Sequence, residues 1–219
     1  MQILEPVVLV VVLIFSVVVH EVAHAWQARR EGDHTAEQLG RITLNPIPHL
    51  DLLGSVILPA LLAYTGGVIF GWAKPVPVNP ANYREYVAGD IRVSLAGIVS
   101  NLGLAAIATV LAGIVLKVSS TVGSLGGVTD VLFMTLNYAI FINLILAFFN
   151  LIPIPPLDGS HVVAHALPGP LADQYRQLGA YGLLIVMGLI FFLPGAIDFM
   201  LGPVYYLRGL ADQFIRLWI

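Results

Sequence analysis

The chain has 219 residues, of which 58% are hydrophobic and 11% charged, and its formal net charge is -3. Globular domains carry roughly a quarter charged residues, so this composition predicts a membrane protein and, with no clustered basic run, excludes a nucleic-acid-binding surface. The chain has no cysteine, which excludes disulfides and thiolate metal sites, so any transition metal must be held by His, Asp or Glu.

Four apolar segments are long enough to cross a bilayer, which takes roughly 20 residues of helix. They lie at 3–28, 91–116, 131–152 and 179–201. The first segment has Glu5 where a signal peptide has basic residues, and no small-residue cleavage site closes it, so we expect it to be retained. These segments predict an all-α polytopic membrane protein, organised as a single integral membrane domain over residues 1–219.

The first span contains the sequence His20-Glu21-Val22-Ala23-His24. Two His at i and i+4 lie about 40° apart around a helix, so both imidazoles can reach one zinc ion. In zinc hydrolases a Glu beside the first His is the general base toward the water that the metal activates. Three ionisable residues at membrane depth cost roughly 2.5–3.5 kcal/mol each, and a divalent metal is the simplest partner for them. The alternative is a polar helix end at the interface near Arg29 and Arg30.

A fifth apolar segment, 52–72, is interrupted by Pro59 and by Gly66 and Gly67. Such breaks are typical of re-entrant segments as well as of discontinuous spanning helices. At the other end of the chain, 203–219 mixes Tyr, Arg, Asp and Trp among apolar residues, which predicts a helix lying in the membrane interface.

A catalytic zinc usually has three protein ligands, so a third must come from elsewhere in the chain. The His and Asp candidates are His34, His49, Asp51, Asp158, His161 and His165. Asp158 is preferred because it ends the proline-rich run 150–158, whose irregular backbone needs a polar cavity at membrane depth. The alternative for Asp158 is an Asp-Gly turn at the surface. The other candidates are expected to support the site or face the interface.

The basic residues orient the spans, because short cytoplasmic loops are enriched in Lys and Arg. Six of them lie between the first and second spans or at the ends of those spans: Arg29, Arg30, Arg41, Lys74, Arg84 and Arg92. If 52–72 enters and leaves by one face, all six are cytoplasmic and the end of 131–152 lies beside the end of the first span. The site then faces the cytoplasmic side of the cell membrane. If 52–72 crosses, those two ends lie on opposite faces.

The two motifs resemble those of the site-2 protease family of intramembrane zinc metalloproteases, the M50 peptidases. Residues 20–24 are similar to the family's first motif, and 150–159 match the second, Asn-x-x-Pro-x-Pro-x-Leu-Asp-Gly. Segments 40–46 and 71–80 are similar to the compact bacterial and archaeal branch. The resemblance covers most of the chain and leaves no stretch for a PDZ or CBS regulatory domain.

The resemblance implies cleavage of peptide bonds in transmembrane proteins by a multi-pass enzyme of the cell membrane. It implies one Zn²⁺ per chain, with His20, His24 and Asp158 as its ligands and Glu21 as the general base. The lipid bilayer and a transmembrane substrate are the expected partners.

Two asparagines are expected to steady the substrate or the oxyanion. Asn150 matches a family position implicated in substrate handling, and Asn101 ends the segment 95–101, in which Ile98 stands where the family commonly has Pro. Because a helical substrate hides its carbonyls in hydrogen bonds, it must unwind before cleavage. The region 40–80 is expected to hold it extended, by strand addition.

Two other functions fit parts of the sequence. A transporter or channel with a buried metal or ion site explains the broken segments and the buried ionisable residues. A non-protease relative of the M50 peptidases, acting as a membrane scaffold, would carry the same motifs but would catalyse no reaction. The first does not account for His, Glu and His at metal-ligand spacing, and the second does not require Glu21. A protease is therefore preferred.

Overall fold

The computed structural model describes residues 4–51, 73–122, 126–192 and 195–218, together with the single positions 54, 57, 61 and 64. Its ordered elements with described bounds are α-helices and short 3-10 turns, and the predicted all-α class is confirmed. The helices are α1 Leu4–Glu31, α2 Thr35–Gln38, α3 Tyr86–Val122, α4 Gly127–Asn150, α5 Gly159–Ala166, α6 Gly169–Gln177, α7 Gly182–Phe192 and α8 Ala196–Arg216.

Three of the described helices are long and apolar enough to cross a membrane, namely α1, α3 and α4. They correspond to the predicted spans 3–28, 91–116 and 131–152; α1 and α3 end beyond the predicted bounds, and α4 begins before its predicted start and ends at Asn150. Their apolar residues lie on all sides, as expected of helices that face lipid as well as protein. The membrane class predicted from composition is thus confirmed.

The predicted span 179–201 is not one uninterrupted helix in the structure. This stretch is divided into α7, which has 11 residues, and the start of α8, separated by Gly195 in the left-handed conformation at φ 83°. Glycine accepts this left-handed conformation without the steric cost that other residues incur, and residues 193–194 lie outside the described residues. Helix α8 then runs on through most of the predicted interfacial helix 203–219.

The helices α1, α3 and α4 form the bundle that carries the site. His20 of α1 contacts Asn101 of α3, and His24, one turn later in α1, contacts the carbonyl of Val93, which comes earlier in α3. The two helices are therefore antiparallel. Asn101 also contacts Asn143 of α4. The chain between α1 and α3 therefore leaves and returns at one end of the bundle, the arrangement expected if 52–72 does not cross. Apart from four single positions, 52–72 lies outside the described residues.

The main apolar core joins α3, α4 and α8. Its buried members are Ala105, Ala108 and Ala112 of α3, Ile140 and Leu144 of α4, and Val204 and Ile215 of α8. The three alanines fall on one face of α3 and let the neighbouring helices approach closely, which stabilises helix packing where lipid supplies no hydrophobic driving force. The C-terminal helix is thereby packed against the bundle.

The described loop between α1 and α3 is fastened to the end of α1 by buried Asp33. Its carboxylate accepts hydrogen bonds from the Asn79 N–H at 2.7 Å, the Asn82 side-chain amide at 2.8 Å and the Thr35 N–H at 3.1 Å. Burial by itself raises the pKa of Asp33, but these hydrogen bonds outweigh it and hold the pKa below its usual value of 3.8. The extended segment 73–79 is therefore held against the end of α1.

Candidate metal centre

His20 and His24 lie one turn apart near the C-terminal end of α1, and both are buried. Their Nε2 atoms are 3.0 Å apart. The Nδ1 atom of His20 lies 2.6 Å from the Asn101 side-chain oxygen, and that of His24 lies 2.7 Å from the Val93 carbonyl oxygen. Because these oxygens only accept, each Nδ1 carries the hydrogen. In neutral imidazoles both Nε2 atoms then present lone pairs to the same point.

The orientation of the Asn101 amide is set by a chain of hydrogen bonds that begins at a backbone carbonyl. The Asn143 amide nitrogen donates to the Ala139 carbonyl at 2.8 Å and to the Ser16 hydroxyl at 2.9 Å. The Asn143 oxygen therefore accepts from the Asn101 nitrogen, at 2.7 Å. This leaves the Asn101 oxygen facing His20. Three buried polar side chains from α1, α3 and α4 thus select the tautomer of one imidazole.

Asp158 brings a carboxylate to the two imidazoles. Its Oδ2 atom lies 3.1 Å from His20 Nε2 and 3.3 Å from His24 Nε2. Asp158 stands at the N-cap of α5 but makes no capping hydrogen bond, so its side chain is directed to α1 instead. The preceding turn is tight, because a Cβ at Gly159 would come within 2.2 Å of the Leu151 carbonyl oxygen. Glycine at 159 is therefore needed for this approach.

These three residues fit a zinc ion. Among the described residues, only His20, His24 and Asp158 form a group of ligand atoms close enough to hold a metal, all within 4.8 Å of one another. A tetrahedral zinc with donors at about 2.0–2.1 Å separates its ligand atoms by about 3.3 Å, close to the observed spacing. The buried Oδ2 of Asp158 accepts no hydrogen bond from the described residues, so a cation is the partner that this oxygen lacks.

Space for the imidazoles is provided by Gly97 of α3. A Cβ at this position would lie 2.5 Å from His20 Cε1, 2.5 Å from His24 Nε2 and 2.6 Å from His20 Nε2. No side chain other than hydrogen fits there without displacing both imidazoles. Gly97 therefore lets α3 form one wall of the candidate site.

Glu21 leaves α1 about 100° around the helix from His20 and does not join the ligand group. Its Oε2 atom accepts a hydrogen bond from the Val76 N–H at 2.8 Å. Val76 belongs to the extended segment 73–79, whose Lys74 carbonyl also accepts from the buried Arg41 guanidinium at 2.9 Å. The carboxylate of Glu21 is thus half-buried and held by a backbone donor.

The remaining candidate ligands are not part of this ligand group. His34 pairs with Glu37 on the surface, the His49 Nε2 donates to the Thr43 carbonyl, and Asp51 accepts from the Gly54 N–H. His161 and His165 both contact Asp90 of α3. Each of these residues therefore has a hydrogen-bond partner that is not a member of the ligand group.

The two asparagines expected at the substrate are placed differently from each other. Asn150 ends α4, and its amide donates to the Leu146 carbonyl at 2.9 Å. Asn101 is completely buried and contacts the Nδ1 side of His20, whereas Asp158 lies on the Nε2 side. Asn101 and Asp158 therefore contact opposite nitrogens of the His20 ring, and the position of Asn101 indicates that it orients His20.

The family model described as Peptidase family M50 matches residues 8–193. The chain belongs to peptidase family M50. It is 36% identical over 210 residues to "Putative zinc metalloprotease YwhC" of Bacillus subtilis (strain 168), covering 96% of this chain and 90% of that protein. It is 29% identical over 216 residues to "Putative zinc metalloprotease Rip2" of Mycolicibacterium smegmatis, covering 94% and 78% respectively. No solved structure matches the chain.

Membership of this family, together with the apolar helices, makes the protein a membrane zinc metalloprotease acting on peptide substrates. The metal expected from the sequence is thus supported both by relatives and by the ligand group. Within the M50 peptidase, Ile98 stands where Pro was expected, and α3 continues through it as regular helix with Ile98 buried.

One face of α3 in this M50 peptidase carries four residues that contact the site, of which only Asn101 was predicted as a site residue from the sequence. Asp90, Val93, Gly97 and Asn101 follow one another at helical spacing and each contacts an element of the site. The signal was present, since Asp90 and Asn101 are polar residues in an apolar helix and polar groups at membrane depth are costly. Asn143 in α4 carried the same signal.

Replacing Asn101 by Ala is expected to weaken zinc affinity about 10- to 100-fold, because His20 loses the acceptor that orients it. The measurement is competition of the purified protein with a chelator for zinc. Asn137→Ala is the matched control, since Asn137 is another polar residue of the apolar bundle and its side chain contacts Arg208 rather than the site. Equal zinc affinity of Asn101→Ala and wild type would contradict this role.

Proposed function

We propose that this M50 peptidase is an intramembrane protease that hydrolyses peptide bonds of transmembrane substrates, with His20, His24 and Asp158 as zinc ligands and Glu21 as general base. The supporting observation is the convergence of two imidazole nitrogens and one carboxylate oxygen, 3.0 to 3.3 Å apart, between helices apolar enough to cross a membrane. Within the single membrane domain that we propose, two of these ligands come from the C-terminal half of α1 and the third stands at the N-cap of α5.

The catalytic roles follow from how each side chain is held. A zinc ion at this site supplies a Lewis acid that polarises a peptide carbonyl and acidifies water. His20 and His24 keep their Nε2 lone pairs toward the metal because their Nδ1 hydrogens are engaged. Glu21 takes a proton from the attacking water and returns it to the leaving amine. The Val76 N–H holds one oxygen of this carboxylate in place.

The substrate has to be extended near Glu21, and the segment 73–79 is the described part of the region expected to hold it. Its Lys74, Val76 and Asn79 N–H groups donate to protein acceptors, and Pro75 and Pro77 have none. This segment therefore offers few donors to an added strand, and substrate pairing through it would rest on its carbonyl groups. The broader clamp over 40–80 stays a proposal, and Gly66 and Gly67 lie outside the described residues.

We place the site toward the cytoplasmic side of a multi-pass protein of the cell membrane. The end of α1 that carries the ligands also carries Arg29 and Arg30, and Arg84 and Arg92 lie at the adjoining start of α3. Clustered basic residues beside spanning helices are enriched on the cytoplasmic face.

Removal of zinc from the purified protein by a chelator is expected to abolish cleavage of a model transmembrane substrate, and zinc is expected to restore it. Asp158→Ala should not recover with the same zinc concentration, because one of three ligands is gone. The matched control is Asp173→Ala, which removes an exposed carboxylate of α6. Cleavage that persists in zinc-free protein would refute the proposal, and metal-dependent ion flux without cleavage would favour a transporter.

A further inference from the structure

Outside the ligand group, one carboxylate of α3 contacts two imidazoles of α5. The Oδ2 atom of Asp90 lies 3.0 Å from His161 Nδ1 and 2.7 Å from His165 Nε2. The Asp90 and His165 side chains are only 10% and 6% exposed, whereas that of His161 is 45% exposed. The His165 contact is therefore shielded from water and is the stronger of the two.

The contact joins the helix that presents Asp158 to the helix that shapes the rest of the site. Helix α5 has 8 residues and begins directly after Asp158. A helix this short is marginal by itself and depends on tertiary contacts for its position. One turn beyond Asp90, the Val93 carbonyl holds His24, and one turn further Gly97 contacts both imidazoles. One face of α3 thus contacts His20 and His24 directly, and it contacts the helix α5 that follows Asp158.

We propose that Asp90 is a positioning residue for Asp158. By binding His161 and His165, its carboxylate fixes α5 on α3 and thereby holds the Asp158 carboxylate 3.1 Å and 3.3 Å from the imidazoles of α1. This role rests on the proposed function, because it assumes that Asp158 is a zinc ligand. It adds a residue that is distant from Asp158 in sequence and does not touch the metal.

A second metal site at Asp90 is the competing interpretation, and the geometry argues against it. The Asp90 Oδ2 atom accepts hydrogen bonds from both imidazoles, whereas the buried Asp158 Oδ2 has no hydrogen-bond partner among the described residues. Among the described residues, the ligand spacing of a metal site is met only by His20, His24 and Asp158. The Tyr86 ring packs edge-on against His165 at 5.6 Å and further restricts it.

The test is a double-mutant cycle on zinc affinity, measured by chelator competition with the full-length protein. Asp90→Ala is expected to weaken zinc binding about 10- to 100-fold. Because Asp90 acts through Asp158, adding Asp90→Ala to Asp158→Ala should cause no further loss. Asn101→Ala acts on His20, so adding it to Asp158→Ala should weaken zinc binding further, by the same factor as in the wild-type background. If Asp90→Ala also weakened zinc binding further in the Asp158→Ala background, the positioning role would be overturned.

A conservative replacement separates positioning from general destabilisation. His165→Gln keeps an N–H donor where Nε2 stood and should retain most of the zinc affinity, whereas His165→Ala should lose as much as Asp90→Ala. Glu85→Gln is the control, since it neutralises an exposed carboxylate just before α3 and should bind zinc like wild type. Wild-type protein that binds no zinc would refute the proposed function, whereas full zinc affinity in Asp90→Ala refutes only this inference.

Discussion

Glu21→Gln is expected to bind zinc as wild type does and to cleave a transmembrane substrate about 10²- to 10⁴-fold more slowly. The three ligand atoms converge without Glu21, so its removal leaves the metal group intact. Gln has nearly the same shape and can still accept from the Val76 N–H, which preserves the contact with segment 73–79. What Gln lacks is the ability to take a proton from water.

The measurement pairs zinc content with single-turnover cleavage, so that binding and chemistry are read separately. Glu37→Gln is the matched control, because it removes a surface carboxylate that pairs with Arg29 and His34. That variant should cleave normally. If Glu21→Gln cleaved as fast as wild type, another group would have to be the base.

Gly97→Ala is expected to reduce cleavage about 10²-fold and to lower zinc affinity, although it adds only one methyl group. That methyl would lie 2.5 Å from an atom of each imidazole, so His20 and His24 must move or α3 must withdraw. A displacement of about 1 Å at a catalytic group is sufficient for a loss of this size. Zinc affinity and cleavage should fall together, in contrast to Glu21→Gln.

Gly103→Ala provides the control within the same helix. A Cβ at Gly103 meets nothing within 4 Å among the described residues, and the position is exposed. Alanine in a helix is favoured over glycine by about 0.5–1 kcal/mol, so this variant should be at least as stable as wild type and fully active. Normal zinc affinity in Gly97→Ala would show that the imidazoles adapt freely, against the packing described above.

Much of the fold could be predicted from the sequence because the relevant signals are local. A run of about 20 apolar residues is a spanning helix wherever it packs, and α1, α3 and α4 follow the predicted segments. The predicted segment 179–201 contains an interruption at Gly195, where the chain adopts the left-handed conformation before α8. Glycine at 195 was visible in the sequence as a residue that permits such a turn, whereas the packing of α8 against α3 and α4 was not.

The amino-acid sequence by itself determined the pairing of His20 with His24, since an i and i+4 spacing places two side chains on one helix face under any packing. It also singled out Asp158, because prolines prevent a helix just before it. Only the tertiary structure decided that Asn101 faces His20, that Gly97 makes room for the imidazoles, and that Asp90 binds α5. Helical periodicity is a property of neighbouring residues, but contacts between positions 70 to 130 residues apart depend on how whole helices pack.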